Sequence, residues 1–203
     1  GDGNTASVAT GLSGDPGMIL IKDRDSSTDW PVYHAGFDDP TANVNILNNT
    51  STVQSFSGYW AGTRSNFIGL KSGTWAHNTS NRNYIAYCWA QRDGFSKFNE
   101  YRGDGSPDGP FIYTGFRPRW ILIKHTGGQD WVLFDTTRDH DNDNDIEKLT
   151  ANEPNQEVTH SNWIDIYSNG FKLKTNAAAL NEDGTKYIYS AFAEHPLKLA
   201  RAR

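Results

Sequence analysis

The chain contains the same run of short segments twice. "PGMILIK" at residues 16–22 returns as "PRWILIK" at 118–124, and the Asp-Trp pair at Asp29 and Trp30 returns at Asp130 and Trp131. "SNFIGLK" at 65–71 faces "SNGFKLK" at 168–174, and "YIAYCWA" at 84–90 faces "YIYSAFA" at 187–193. The offset drifts only between 101 and 103 residues, and "GDG" at 1–3 and again at 103–105 supplies a fifth block. Blocks kept in one order at one spacing mark a duplication. A repeat of about 100 residues is long enough to bury its own core, so the expected organisation is two units, residues 1–93 and 94–203.

Each copy reads as β-structure. "MILIK" and "WILIK" are short, apolar and β-branched, and each is followed by turn material and a second apolar stretch, which predicts a hairpin. "YIAYCWA" and "YIYSAFA" alternate large and small residues over seven positions, a further strand signal. No apolar stripe at helical spacing lasts beyond two turns, and 19 Gly with 8 Pro interrupt the chain too often for a bundle. The expected fold class is therefore all-β, as two tandem, homologous β-sandwich or jelly-roll-like units. Seven Trp, nine Tyr and ten Phe suit such cores, because broad rings span the space between two sheets. Residues 41–54 and 146–161 read as polar and irregular. The link at 91–110 mixes aromatic and turn residues, and reads as a junction that partly completes the second sheet. The first copy opens at the repeat position of Gly103, so we expect a longer chain with a segment like "FSKFNEYR" (95–102) ahead of it. Without that segment the first sheet has an edge that a neighbouring subunit or upstream chain can cover.

Composition excludes several classes. A formal charge of -5, from 19 basic and 24 acidic side chains, disfavours non-specific binding to a nucleic-acid backbone. No apolar run approaches 18 residues, so no membrane insertion is expected. The basic run at 198–203 reads as a solvated tail. Cys88 is the only cysteine and reads as a small core side chain. The six histidines show neither HExxH nor Cys-His ligand spacing, which argues against zinc hydrolysis. Carboxylates are plentiful, which keeps a polysaccharide depolymerase among the readings, but the separation that glycoside hydrolysis needs is not legible in a sequence.

The most conspicuous polar run is "DTTRDHDNDNDIE" at 135–147, in which Asp139, Asp141, Asp143 and Asp145 alternate. Hard cations take carboxylate and carbonyl oxygens in compact loops, so these four are candidate Ca2+ ligands. The run departs from an EF-hand loop: counted from Asp141, the sixth position is Ile146 and the twelfth Asn152. In an extended strand, carboxylates on one face stand about 7 Å apart, so the loop would have to curl around an ion. A solvated acidic loop is the competing reading. Residues 23–29 carry similar chemistry, and there a hairpin turn already accounts for the polar residues. "RGD" at 102–104 and the Asn-x-Ser/Thr patterns at Asn48, Asn49 and Asn78 read as turn and loop composition.

The second copy runs "YRGDGSPDGPFIYTGFRPRWILIKHTGGQDWVLFDTTRDHDN" and closes with "YIYSAFAEHP". It resembles the repeated domain of bacteriophage tail and virion structural proteins. Those proteins share an opening of the form "TGNGSADGPF-YTGF-P-W-LIK", a Trp-containing second strand ending in Asp and Arg, and a closing "YIY-AFAE-P". The features fall here on 103–124, on Trp131 with Asp135 and Arg138, and on 187–196. The first copy is similar to the companion form over 84–89 and 94–105, with Gln91 and Arg92 where that form often has Glu and a small or apolar residue. It lacks a counterpart of Arg138 after Tyr33, and the resemblance is weaker between Pro40 and Gly58. The resemblance implies a non-enzymatic structural part of a virion, in the tail or tail fibre. Its partners would be other virion proteins and copies of itself, and host attachment through a surface glycan is a further expectation. It implies no catalytic residues and no cofactor. The Trp content supports an alternative, a carbohydrate-binding module whose exposed rings stack on sugar faces.

Overall fold

The computed structural model describes residues 1–73, 76–138 and 145–195. The chain divides into two compact units, Gly1–Gln91 and Arg92–Arg203, and is all-β; the described residues include one short helix.

The first unit contains β1 (Ala6–Ala9), β2 (Pro16–Asp23), β3 (Pro31–His34), β4 (Asn43–Ile46), β5 (Gln54–Ser55), β6 (Phe67–Leu70) and β7 (Tyr84–Ala90). One sheet has the order β5-β4-β3-β2-β7, and β1 pairs with β6 in a second. Pro16 begins β2, where a missing N–H is tolerated, and the ladder to β7 slips there, from Pro16↔Ala90 to Met18↔Trp89. The turn that follows consumes its own polar groups. Lys22 Nζ donates to the carbonyls of Ser26 (3.0 Å) and Thr28 (2.6 Å), and Asp23 accepts from Asp25 N (2.9 Å) and Ser26 Oγ (2.7 Å). Ile19, Ile21, Tyr33 and Val44 of the larger sheet meet Ile68 of the smaller one around Tyr59 and Trp60, so both sheets share one core. Gly69 lies so close to the Ala61 backbone that a Cβ there would collide with it.

The second unit contains β8 (Ser96–Arg102), β9 (Phe111–Tyr113), β10 (Pro118–His125), β11 (Trp131–Asp135), β12 (Asp145–Thr150), β13 (Val158–Ser161), β14 (Ile164–Tyr167), β15 (Gly170–Leu173), α1 (Ala178–Asn181) and β16 (Lys186–Ala193). The sheet orders are β13-β12-β11-β10-β16-β8 and β14-β15-β9. Ile121, Ile123 and Phe134 from the first sheet and Ile164, Phe171 and Leu173 from the second fall in a single apolar cluster. Lys124 is buried in β10 with its Nζ donating to the Gln129 carbonyl and lying 5.6 Å from the Trp131 ring centroid. Burial pushes its pKa down to about 8.

Within each unit the same hydrogen bonds recur at equivalent positions. Trp30 N donates to Asn48 Oδ1 (2.9 Å), whose Nδ2 donates to Asp29 (2.9 Å). Trp131 N donates to Asn152 Oδ1 (2.7 Å), whose Nδ2 donates to Asp130 (2.8 Å). The Tyr84 hydroxyl accepts from Thr79 N at 2.9 Å, and that of Tyr187 from Glu182 N at 2.8 Å. Buried Asn78 and Asn181 donate to the carbonyls of Asn4 (2.6 Å) and Ser106 (2.8 Å). Even the β2–β7 slip reappears, between Pro118↔Ala193 and Trp120↔Phe192.

The structure corrects the reading of 41–54 and 146–161 as irregular. These segments hold β4, the start of β5, most of β12 and all of β13. They are strands because the hairpins before them present an edge with free backbone groups, with which even residues of low strand propensity such as Asn, Lys and Glu pair. The link at 91–110 supplies β8, hydrogen-bonded along β16.

Candidate functional site: an open strand edge with a cavity behind it

β7 and β16 hold the same place in their units, each antiparallel to the central strand, with Ile19↔Cys88 in one and Ile121↔Ala191 in the other. The far side of β16 is occupied by β8, in register from Lys186↔Arg102 to Phe192↔Ser96. β7 ends its sheet, and among the described residues no strand pairs with its far side. Burial follows this difference. β16 is buried at every position but one, whereas Ile85 and Tyr87 of β7 are 39% and 44% exposed. An unpaired row of N–H and C=O groups is a template for another strand.

Behind this edge lies a cavity of about 630 Å³ whose lining includes Ile21, Ile68, His77, Tyr84, Ala86 and Cys88. In the second unit the corresponding space holds Tyr101 of β8. Its ring stacks on Tyr187 at 4.9 Å and 7°, and its hydroxyl donates to the Leu180 carbonyl at 2.8 Å. Tyr84 is the counterpart of Tyr187 at the repeat distance, His77 that of Leu180, and Ala86 that of Tyr189.

His77 is buried against the Tyr59 ring at 4.3 Å, and its Nε2 donates to the Tyr59 carbonyl at 3.1 Å. Its buried Nδ1 has no partner among the described residues. Removal from water disfavours the imidazolium and pushes the pKa down to about 4. The unfolded chain, with an ordinary histidine pKa of 6.5, therefore binds the proton first. The contribution is complete above pH 6.5 and is lost as pH falls toward 4, by up to about 3 kcal/mol. His77→Leu, which copies Leu180, should remove that part of the acid sensitivity; urea midpoints of both proteins at pH 7 and pH 4.5 measure it.

Cys88 packs on the core with one side and lines the cavity with the other, and burial raises its thiol pKa. On the opposite face of β7, Trp30, Tyr87 and Trp89 form a row, with centroids 6.4 and 6.3 Å apart and planes inclined by 24° and 18°. Trp30 and Trp89 are half-buried, whereas Trp60 and Trp131 lie in the two cores.

Of the candidate cation ligands, Asp139, Asp141 and Asp143 lie outside the described residues. Asp145 opens β12 and accepts from Ser161 Oγ at 2.8 Å across the β12–β13 ladder. Among the described residues no three His, Cys, Asp or Glu side chains gather as a metal site. The other polar runs are committed to structure. Asp104 of the "RGD" accepts from Ser106 N and Asn181 Nδ2, both at 2.9 Å. Asp23 also pairs with Arg82 at 3.1 Å. Arg138 joins Asp135 (2.6 Å) to Glu157, and so ties the end of β11 to the segment before β13.

An edge is defined by what lies beside a strand, which no property of β7 itself encodes. The signal that finds it is the repeat, since "FSKFNEYR" precedes the second "GDG". Residues 1–196 match a family described as a domain of unknown function, DUF7483. The chain belongs to that family. The match spans nearly all of both units. Neither a curated protein nor a solved structure matches the chain.

Proposed function

We propose that this chain is a non-enzymatic structural component of a bacteriophage virion, in the tail or tail fibre, built from two tandem copies of one β-sandwich. The observation that carries the reading is the recurrence of scaffold bonds at the repeat distance, down to the same slip beside Pro16 and Pro118. A duplicated scaffold whose polar groups are spent on its own turns suits a load-bearing part. The resemblance of its two closings to phage tail domains supplies the setting. Its partners are other virion proteins and further copies of itself. Mass spectrometry of purified particles, with antibody labelling of intact ones, should find the chain at the tail; its absence from particles would overturn the placement.

The row of Trp30, Tyr87 and Trp89 favours one second reading, a glycan-binding face used in host attachment. A glycan array run with the native chain and with Tyr87→Ala separates the two. A selective signal abolished by the substitution supports attachment, and the structural reading predicts none. The acidic run at 139–145 is read as a solvated loop, with calcium as its alternative occupant. Titration of metal-stripped protein with calcium should give no binding heat, and heat that Asp145→Asn abolishes would establish the cation site.

A further inference from the structure

We propose that the outer face of the β14-β15-β9 sheet is a binding site for a neutral oligosaccharide, whose sugar rings lie on Phe111, Tyr113 and Tyr167. The site belongs to the second unit, is separate from the row of Trp30, Tyr87 and Trp89, and does not depend on the placement of the chain in a virion.

Phe111 and Tyr113 alternate with buried Ile112 along β9, and Tyr167 follows buried Ile166 on β14, so the three rings share the solvent side of the sheet. They are 45%, 64% and 41% exposed. The ladder places Gly170 between Tyr167 and Tyr113, and Phe111 meets Tyr167 edge-on at 5.8 Å. A Cβ at Gly170 would stand 2.7 Å from Phe111 Cζ and 2.2 Å from the Ile112 carbonyl oxygen, so the missing side chain lets the Phe111 ring reach over β15 toward the two tyrosines.

The first unit builds the corresponding strand pair without these rings. β1 and β6 pair Ala9 with Phe67 where β9 and β15 pair Tyr113 with Gly170. Ser7 and Ala9 therefore stand in the places of Phe111 and Tyr113, and Arg64 in that of Tyr167. The strand pair does not require aromatic side chains at these positions. Three neighbouring rings held in water, on a scaffold that forms without them, point to a ligand.

Size and charge select its class. Rings of about 200 Å² each, exposed to these extents, offer roughly 300 Å², against about 800 Å² per partner in a stable protein interface. Beside the rings the same face carries two carboxylates and two ammonium groups. Asp108 pairs with Lys172 at 3.0 Å and with Lys174 at 3.1 Å. Asp165 stands across the ladder from Lys172 and accepts from the Tyr167 hydroxyl at 3.3 Å. The four charges cancel, so the face has no net field to draw a phosphate, a sulfate or a charged peptide. Both carboxylates keep lone pairs for hydroxyl donors. A neutral sugar fits this division: its C–H face lies on the rings and its hydroxyls reach the ionic strip.

An array of neutral, sialylated and sulfated oligosaccharides is probed with the 203-residue chain, and the neutral glycan with the strongest signal is then titrated by calorimetry. Tyr113→Ala copies Ala9 and Tyr167→Arg copies Arg64, so both variants should melt with the native chain while raising Kd at least tenfold. Tyr87→Ala should leave Kd unchanged. Full affinity in both Tyr113→Ala and Tyr167→Arg would overturn the site, and loss in Tyr87→Ala alone would move glycan binding to the Trp30 row. No retained neutral glycan, or a preference for sialylated or sulfated ones, would also overturn it. Sedimentation velocity covers the remaining occupant: a dimer that Tyr113→Ala dissociates would make a second copy of the chain, rather than a sugar, what the rings hold. None of these results touches the placement in particles, which the particle measurements test separately.

Discussion

Tyr101→Ala should destabilise the second unit by about 3–5 kcal/mol, the range for removing a large buried ring. Tyr101 is 9% exposed, stacks on Tyr187 and approaches Tyr189 at 6.4 Å. The substitution empties that space and leaves the Leu180 carbonyl, which accepts the hydroxyl at 2.8 Å, without its donor. β8 is the outer strand of its sheet, so the loss should appear first as rapid hydrogen exchange along residues 96–102, ahead of global unfolding. Tyr101→Phe keeps the stack and removes only the hydrogen bond, for about 1 kcal/mol. Urea denaturation of the three proteins gives the energies. If Tyr101→Ala cost less than the phenylalanine variant, the backbone ladder rather than the ring would be what holds β8. The alanine variant also recreates, within the second unit, the arrangement that the first unit has now: an emptied space behind the last inner strand.

The second large effect belongs to the first unit. Trp60 is fully buried, meets Tyr59 at 5.1 Å and Tyr33 at 5.7 Å, and donates its indole N–H to the Asn43 carbonyl at 3.0 Å. Trp60→Ala should cost about 3–5 kcal/mol, because the two sheets meet around this ring and cannot close over the space it leaves. Trp60→Phe retains most of the contacts and loses the hydrogen bond, and should cost less than half as much. Thermal melts read by near-ultraviolet circular dichroism measure both. A first unit that survived Trp60→Ala unchanged would show that the core is organised about Ile19, Ile21 and Val44 instead.

The strand class was legible because it depends on local pattern. "MILIK" and "WILIK" became the central strands β2 and β10, buried on both faces, and the closings "YIAYCWA" and "YIYSAFA" became β7 and β16. The turn polarity of 23–29 was also legible, and Asp23 with Lys22 accounts for it. β4 and β12 were not, because residues such as Asn43, Glu147 and Lys148 have no strong strand preference and pair only once a neighbouring edge exists. Cys88 was read as an ordinary core residue. Its inner side is that, but the cavity on its other side depends on which strand lies beyond β7.

By itself the sequence determined that the chain is β-structured and where its hairpins and its closing strands fall. These follow from side-chain alternation, branching and turn residues, which act over a few positions. Only the tertiary structure decided what each closing strand faces. Tyr84 and Tyr187 are each followed by Ile, and the hydroxyl of each accepts from a backbone N–H five residues earlier. One faces a cavity and the other a second tyrosine, because β8 arrives beside β16 from a distant part of the chain. Contacts across about 85 residues of chain, such as Tyr101 on Tyr187, are fixed by which backbone edge is free when the units close, and no local run of residues carries that information.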